Sequence, residues 1–333
     1  MKAMVLSEFK PVEEEPLKLQ EIDTPVPKEG EILIKINYCG VCHTDLHTVE
    51  GELPAVNLPR IPGHQVVGRV ERTGEGVNLF QLHDRVGVAW LYSSCGRCRF
   101  CRRGRENLCL EAKFTGYQVD GGYAEYMVVP EKFAYELPDD IPDEKAAPLL
   151  CGGIIGYRAL RLSRIRPGEK LGLFGFGASA HITIQVARYW GCPVYVFSRS
   201  KEHRKHALEL GATWVGSPDE IPPQKLDGVI VFAPAGELAR QALRVIDRGG
   251  TVALAGIYLS QIPPLDYEKE LYFEKSLTSV ANATRQDGVE FLKIASEIPV
   301  KTDIQIYPLE KANQALLEVK HSQINGSAVL KIS

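Results

Sequence analysis

The segment Cys42-His43-Thr44-Asp45-Leu46-His47 puts a thiol, a hydroxyl, a carboxyl and two imidazoles within six positions. Such side chains ligate metals, move protons and orient ligands, and neither helix nor strand periodicity explains their grouping. Two more candidates of the same kind stand further on, His64 in IPGHQVVG and Cys151 in LLCGGIIGY. Two cysteines and a histidine are three corners of a tetrahedron, and an open fourth position is what a catalytic zinc site keeps. Each residue taken alone also has a plainer reading. A histidine ahead of a β run can be structural or solvated, and a cysteine in an apolar stretch can be packing. Cys39 and Cys192 are read as packing.

A closed ligand set follows. CGRCRFCRRGRENLC places Cys95, Cys98, Cys101 and Cys109 in one short segment. Four thiolates fill a tetrahedron around one Zn²⁺ and leave no place for substrate, so that site is structural. The lobe has little apolar content of its own, and structural zinc contributes roughly 10–16 kcal/mol of apparent binding energy in small peptides. Competing readings are an iron–sulfur cluster, four unrelated thiols, and a nucleic-acid-binding knuckle using Arg97, Arg99, Arg102, Arg103 and Arg105.

Two kinds of element must position these residues. The first 150 residues or so are β-rich, with runs at Glu31–Ile36 and Val66–Glu71 punctuated by Gly and Pro. From about 153 to 280, apolar strands alternate with helices: Lys170–Phe174, Ala180–Trp190, Val194–Phe197, Lys201–Leu210, Gly228–Ala233, Glu237–Ile246 and Thr251–Ala255. That alternation predicts a parallel sheet with crossover helices. The last fifty residues or so hold helices near Gly288–Ile298 and Leu309–Val319 and a closing strand, Ala328–Ile332.

LFGFGASAH lies between a predicted strand and a predicted helix, and its Gly175, Gly177 and Ala180 fit G-x-G-x-x-[GA]. The first glycine makes the turn, the second admits a pyrophosphate to the backbone, and the small third residue lets helix and strand pack. An NAD site places an acid at the end of the next strand. Here the residues are Phe197-Ser198-Arg199-Ser200-Lys201, with no acid among them. A carboxylate would repel a 2′-phosphate, whereas Ser198 can donate to one and Arg199 can pair with it, so NADP(H) is favoured over NAD(H). Ser200 also reads as a helix N-cap.

A chain of 333 residues suits two domains. The net charge of −3 gives no global attraction to nucleic acid or anionic membrane. There is no run of apolar residues long enough to predict a transmembrane helix. The start, MKAMVLSEFK, lacks a secretory h-region, so a cytoplasmic location is expected. In that compartment clustered cysteines bind metal more readily than they form disulfides.

CGVCHTD, PGH, the four-cysteine lobe, LLCGG and the glycine-rich turn occur in a fixed order along essentially the whole chain. Together they resemble the zinc-dependent alcohol dehydrogenases of the medium-chain dehydrogenase/reductase superfamily. GHQ with GFGASAH is similar to the bacterial alcohol-oxidising branch sometimes called propanol-preferring. A zinc-free quinone or enoyl reductase of the same superfamily would need neither metal set. The resemblance implies an α/β chain of two domains. A GroES-like β-rich catalytic domain would span 1–152 and 285–333, with the structural zinc lobe at 95–109. A Rossmann domain with a doubly wound parallel sheet would span 153–284. The active site is expected in the cleft at the carboxyl ends of the parallel strands.

It further implies two zinc ions per chain, with the catalytic one on Cys42, His64 and Cys151. Thr44 would hold the substrate hydroxyl and pass its proton through the cofactor ribose to His47. Asp45 would accept a hydrogen bond from His64, and His43 would lie near the cofactor pyrophosphate. Zinc lowers the pKa of a bound alcohol, and the alkoxide can then give a hydride to nicotinamide. Trp90, just ahead of the lobe, narrows the pocket in related primary-alcohol dehydrogenases and points to short primary alcohols and their aldehydes; Tyr117 and Leu91 are further wall candidates. The alternatives are the same chemistry with NAD(H), or reduction of larger or aromatic aldehydes. A homodimer or homotetramer is expected. Three positions depart from many relatives: Gln65 in place of Glu, Ser327 in place of Arg, and Ile155 in place of Thr.

Overall fold

The computed structural model describes residues 1–54, 56–324 and 326–333. They form two compact units, one of Met1–Cys151, Thr284–Ser296 and Lys301–Ser333, the other of Gly152–Ala283 with Glu297–Val300. Among the described residues no helix is long and apolar enough to cross a membrane.

The first unit is built on β1 (Glu31–Val41), whose β-branched run favours extended chain and whose inward residues Ile32, Ile34 and Ile36 are fully buried. After β1 comes a short helix, α1 (His43–Val49), then β2 (Gln65–Thr73), β3 (Arg85–Val88), β4 (Tyr126–Pro130) and β5 (Ala134–Glu136). The sheet order is Ile304–Pro308, Ser327–Lys331, β1, β2, β3, β5, with β4 pairing β1 off this path. β1 and β2 are antiparallel, with Cys39 opposite Val66 and Gly40 opposite Gln65. The end of β1 and the start of β2 therefore lie at one end of the sheet. Hydrophobic side chains from these strands join Leu46 and Val49 of α1 and Ala315, Leu316 and Val319 of the C-terminal helix Ala312–Lys320 in one core.

The second unit is a parallel sheet of β6 (Leu171–Phe174), β7 (Val194–Phe197), β8 (Trp214–Gly216), β9 (Leu226–Val231), β10 (Ile246–Leu254) and β11 (Ser276–Ser279). Its order is β8-β7-β6-β9-β10-β11, every pairing parallel. This is the strand order of the doubly wound dinucleotide-binding fold, reversing between β6 and β9. The crossover helices include α2 (Ala178–Tyr189), α3 (Lys201–Glu209) and α4 (Gly236–Val245). β6, β7 and β9 are apolar because a parallel sheet is covered on both faces. β8 and β11 were not legible as strands: they are the sheet's edges, short and only partly buried.

Candidate active site and metal centres

Cys42 directly follows β1 and His64 directly precedes β2, so antiparallel pairing brings them together across 22 positions of sequence. Cys151 arrives from the short turn Ala147–Leu150, whose residues are all buried. The three ligand atoms lie within 4.8 Å of one another. Cys42 Sγ is 3.6 Å from His64 Nε2 and 3.9 Å from Cys151 Sγ. Tetrahedral zinc with ordinary bond lengths sets S···N near ~3.6 Å and S···S near ~3.8 Å, so the donors fit the ion. The charge balance fits as well. The Cys42 thiol is held well below its usual range, first by its contact with Cys151 and then by His64. Cys151 is pushed well above its range by Cys42 and by burial. Two half-buried sulfurs at this separation resist losing both protons unless a cation lies between them. Burial works to lower His64, but the negative Asp45 and Cys42 around it outweigh that and carry it up to about 10. The Cys42 sulfur and the Asp45 carboxyl favour positive charge at this point, and a dication would take the place of the His64 proton.

CHTDLH, which periodicity left unassigned, is the N-cap and first turns of α1. Cys42 is the cap: its sulfur accepts from Thr44 N–H, and its own N–H donates to Asp45 Oδ2 at 3.0 Å. A seven-residue helix that turns polar groups toward a site carries no apolar stripe to read. Asp45, buried and raised chiefly by that burial, also accepts from His64 Nδ1 at 2.9 Å and from Gly63 N–H at 3.2 Å. This leaves His64 Nε2 to face the sulfur of Cys42. Gly63 has φ +98°, and a Cβ there would meet the Tyr123 ring at 2.3 Å, so PGH needs its glycine. Thr44 and His47, one turn apart, share a helix face. His47 Nδ1 pairs with Glu52, a residue the sequence reading missed. The sole sequence clue was an acid just past the glycine that ends the helix. His43 is exposed, with its ring 6.3 Å from that of His47.

Trp90 meets His64 edge-on, centroids 5.0 Å apart, and both Phe114 and Tyr117 stack on it. Trp90 therefore stands beside the metal triad. Leu91 is buried. Gln65 lies over Gly40 on the strand face that continues to Cys42, and its amide nitrogen is buried without a partner among the described residues.

In the lobe, Cys95–Cys101, Cys98–Cys101 and Cys95–Cys109 sulfurs are 4.0, 3.5 and 3.5 Å apart, close to the edges of a tetrahedron around zinc and far beyond a disulfide bond. The backbone N–H of Cys101 first, among several hydrogen bonds, draws Cys98 down to about 7, which suits a thiolate ligand. Buried Glu106 ties the lobe to the helix Arg285–Glu297 by accepting from Arg285 N–H and Nε at 3.0 and 3.2 Å. Arg97 pairs with Glu111 and Arg99 lies over Phe100.

In the second unit Gly175 takes φ +88° at the end of β6, and its N–H donates to Phe197 O. A Cβ on Gly177 would meet nothing within 4 Å, so the backbone there faces open space, as a phosphate cradle requires. Ala180, in the first turn of α2, is fully buried. Ser198 is buried at the end of β7 and its carbonyl accepts from Arg204 at 2.7 Å; Arg199 is exposed. Ser200 is the N-cap of α3, accepting from His203 N–H. Ser327 is buried with its hydroxyl unpartnered among the described residues, and Ile155 lies in the helix Gly152–Leu162.

A Cys-His-Cys triad around buried His64, a Cys₄ lobe and a doubly wound sheet define a metal-dependent dinucleotide oxidoreductase. Residues 28–139 match the alcohol dehydrogenase GroES-like domain and residues 180–297 the zinc-binding dehydrogenase family. The chain is 45% identical over 327 residues to the probable alcohol dehydrogenase AdhA of Mycobacterium tuberculosis, covering 97% of this chain and 94% of that one. A thermostable alcohol dehydrogenase from Pyrobaculum aerophilum, solved with cobalt and zinc, superimposes with a TM-score of 0.90 at 30% identity, covering 100% of this chain and 99% of that one. CAD from Helicobacter pylori, solved with NADP(H), gives 0.88 at 25%, covering 99% of each chain. The chain belongs to the zinc-dependent alcohol dehydrogenases of the medium-chain dehydrogenase/reductase superfamily, enzymes acting on small-molecule alcohols and aldehydes.

Proposed function

We propose that the chain interconverts short primary alcohols and their aldehydes with NADP(H), using a catalytic zinc on Cys42, His64 and Cys151 and a structural zinc on Cys95, Cys98, Cys101 and Cys109. The observation that carries the reading is the triad: three donors at zinc spacing, with Trp90 against His64. Zinc there would bring the pKa of an alcohol toward neutrality, and the nicotinamide would accept the hydride. The chain's own residues do the rest. Asp45 fixes the imidazole of His64. Thr44 orients the alcohol hydroxyl and takes its proton, and His47 gives it up to solvent. Glu52, on Nδ1 of His47, makes Nε2 the basic nitrogen. Trp90, backed by Phe114 and Tyr117, excludes water and fills the space a large alcohol would need.

The NADP(H) assignment rests on Ser198 and Arg199 at the end of β7, where an NAD site would carry an acid. The NADP(H) in the H. pylori CAD structure points the same way. Gly175, Gly177 and Ala180 would seat the pyrophosphate, with His43 beside it. Gln65 carries no charge to draw it to the metal. The family resemblance extends the proposal to a cytoplasmic homodimer or homotetramer, which light scattering tests.

The deciding experiment is metal analysis with initial rates on propanol, using NADP⁺ and NAD⁺ in parallel. Two zinc ions per chain and faster NADP⁺ reduction are expected. A strong NAD⁺ preference would overturn the coenzyme assignment, and faster turnover of cinnamyl than of short alcohols would overturn the substrate assignment.

A further inference from the structure

Tyr117 is buried against the aromatic group beside the triad, yet none of the chemistry above uses its hydroxyl. Its ring stacks on Trp90, centroids 5.8 Å apart and planes 24° apart. Its hydroxyl donates to the carbonyl of Pro54. Burial pushes the phenol upward, so it stays a donor through the neutral and mildly alkaline range.

Pro54 lies on the connection between α1 and β2. That connection is fixed at both ends. Glu52 N–H donates to His47 O, and Arg60 exchanges backbone bonds with Leu6 and pairs with Asp120 at 2.7 Å. Among the described residues, the Tyr117 bond is the only hydrogen bond to the backbone of Leu53, Pro54 or Val56. A cavity of about 310 Å³ lined by Pro54, Val56, Asn57, Arg60, Tyr117 and Gln118 lies beside it. Pro54 thus borders open space, and one side chain ties it to the ring that touches His64.

We infer that Tyr117 is a positioning residue for substrate selection: by stacking on Trp90 and holding the Pro54 carbonyl, it fixes Pro54 relative to the Trp90 wall and so limits the length of alcohol admitted. This rests on the proposal that Trp90 lines the alcohol site. Tyr117 acts through its two neighbours, Trp90 and Pro54.

The test compares Tyr117→Phe, which keeps the ring and loses the hydroxyl, with Trp90→Ala. Loss of one neutral hydrogen bond predicts roughly 3- to 10-fold faster amide exchange in the Glu50–Arg60 peptide of Tyr117→Phe. The same variant should raise the hexanol-to-ethanol ratio of kcat/KM, chiefly through a lower KM for hexanol. Trp90→Ala should raise that ratio too. If Trp90→Ala shifts the ratio but Tyr117→Phe leaves it unchanged, the inference fails and the pocket assignment stands, whether or not exchange quickens. If Trp90→Ala leaves the ratio unchanged, the pocket assignment fails and the inference with it.

Discussion

Asp45 shows how one side chain can organise a candidate metal site from behind its ligands. Its two oxygens accept from Cys42 N–H, Gly63 N–H and His64 Nδ1, so both ligand-bearing strand ends converge on it. We expect Asp45→Asn to weaken metal at the triad by about 10- to 100-fold, as loss of such partners does elsewhere. Competition with a chromophoric chelator should show one of two metal classes weakened and the other intact; equal loss from both would contradict this role. At the proposed coenzyme site, Ser198→Asp would set a carboxylate against the 2′-phosphate of NADP(H). The ratio of kcat/KM for NADP⁺ over NAD⁺ should invert. Survival of NADP⁺ efficiency would show that Ser198 does not face that phosphate.

At the scale of elements, β1 and β2 must pair closely for Cys42 and His64 to meet. A Cβ on Gly40 would lie 2.6 Å from Gln65 Oε1 and 2.9 Å from its Cβ, and the Cβ is fixed to the strand and cannot swing away. Gly40→Ala should therefore cost about 1–3 kcal/mol, read as a lower urea midpoint at unchanged slope. In the second unit Glu270 is buried where Arg240 and Arg244 of α4 meet it at 2.8 and 2.7 Å. Burial raises its carboxyl, but the Asp266 N–H and the two guanidinium groups outweigh burial and hold it below the ordinary range. A depressed carboxylate contributes stability that is complete above its unfolded pKa, about 4.3, and is lost as pH falls through the lower folded value. Glu270→Gln should cost about 2 kcal/mol at neutral pH, less than a fully buried pair because Arg244 is half exposed. The difference from wild type should vanish in acid below the folded pKa. Urea midpoints at neutral pH and in acid decide it; a constant gap would rule out the ion pairs as its source.

Across the whole molecule, the two candidate metal clusters among the described residues both belong to the first unit. Chelation should therefore act on one unit selectively. We expect metal removal to speed amide exchange through Leu91–Phe114 and around α1, while the amides of β6, β7 and β9 keep their protection. The lobe should respond most, because its cysteines sit among short turns with few buried apolar groups. Uniform loss of protection in both units would show that metal stabilises the chain globally.

The sequence by itself determined the parts that chemistry marks locally. Cys95, Cys98, Cys101 and Cys109 are neighbours in the chain, so their spacing alone announces one tetrahedral site. The turn at Gly175 and the alternation after it likewise carry their fold in adjacent residues, because a parallel sheet needs continuous apolar strands and intervening helices. The triad was a different case. Cys42, His64 and Cys151 were legible as donors, and the resemblance grouped them, but nothing local says that they meet. Antiparallel register at the ends of β1 and β2 brings the first two together, and the turn Ala147–Leu150 delivers the third. Only tertiary structure could set Trp90 on the edge of His64, Glu52 on His47, or Tyr117 under Pro54, because those contacts depend on how loops return to a strand and not on any period in the sequence.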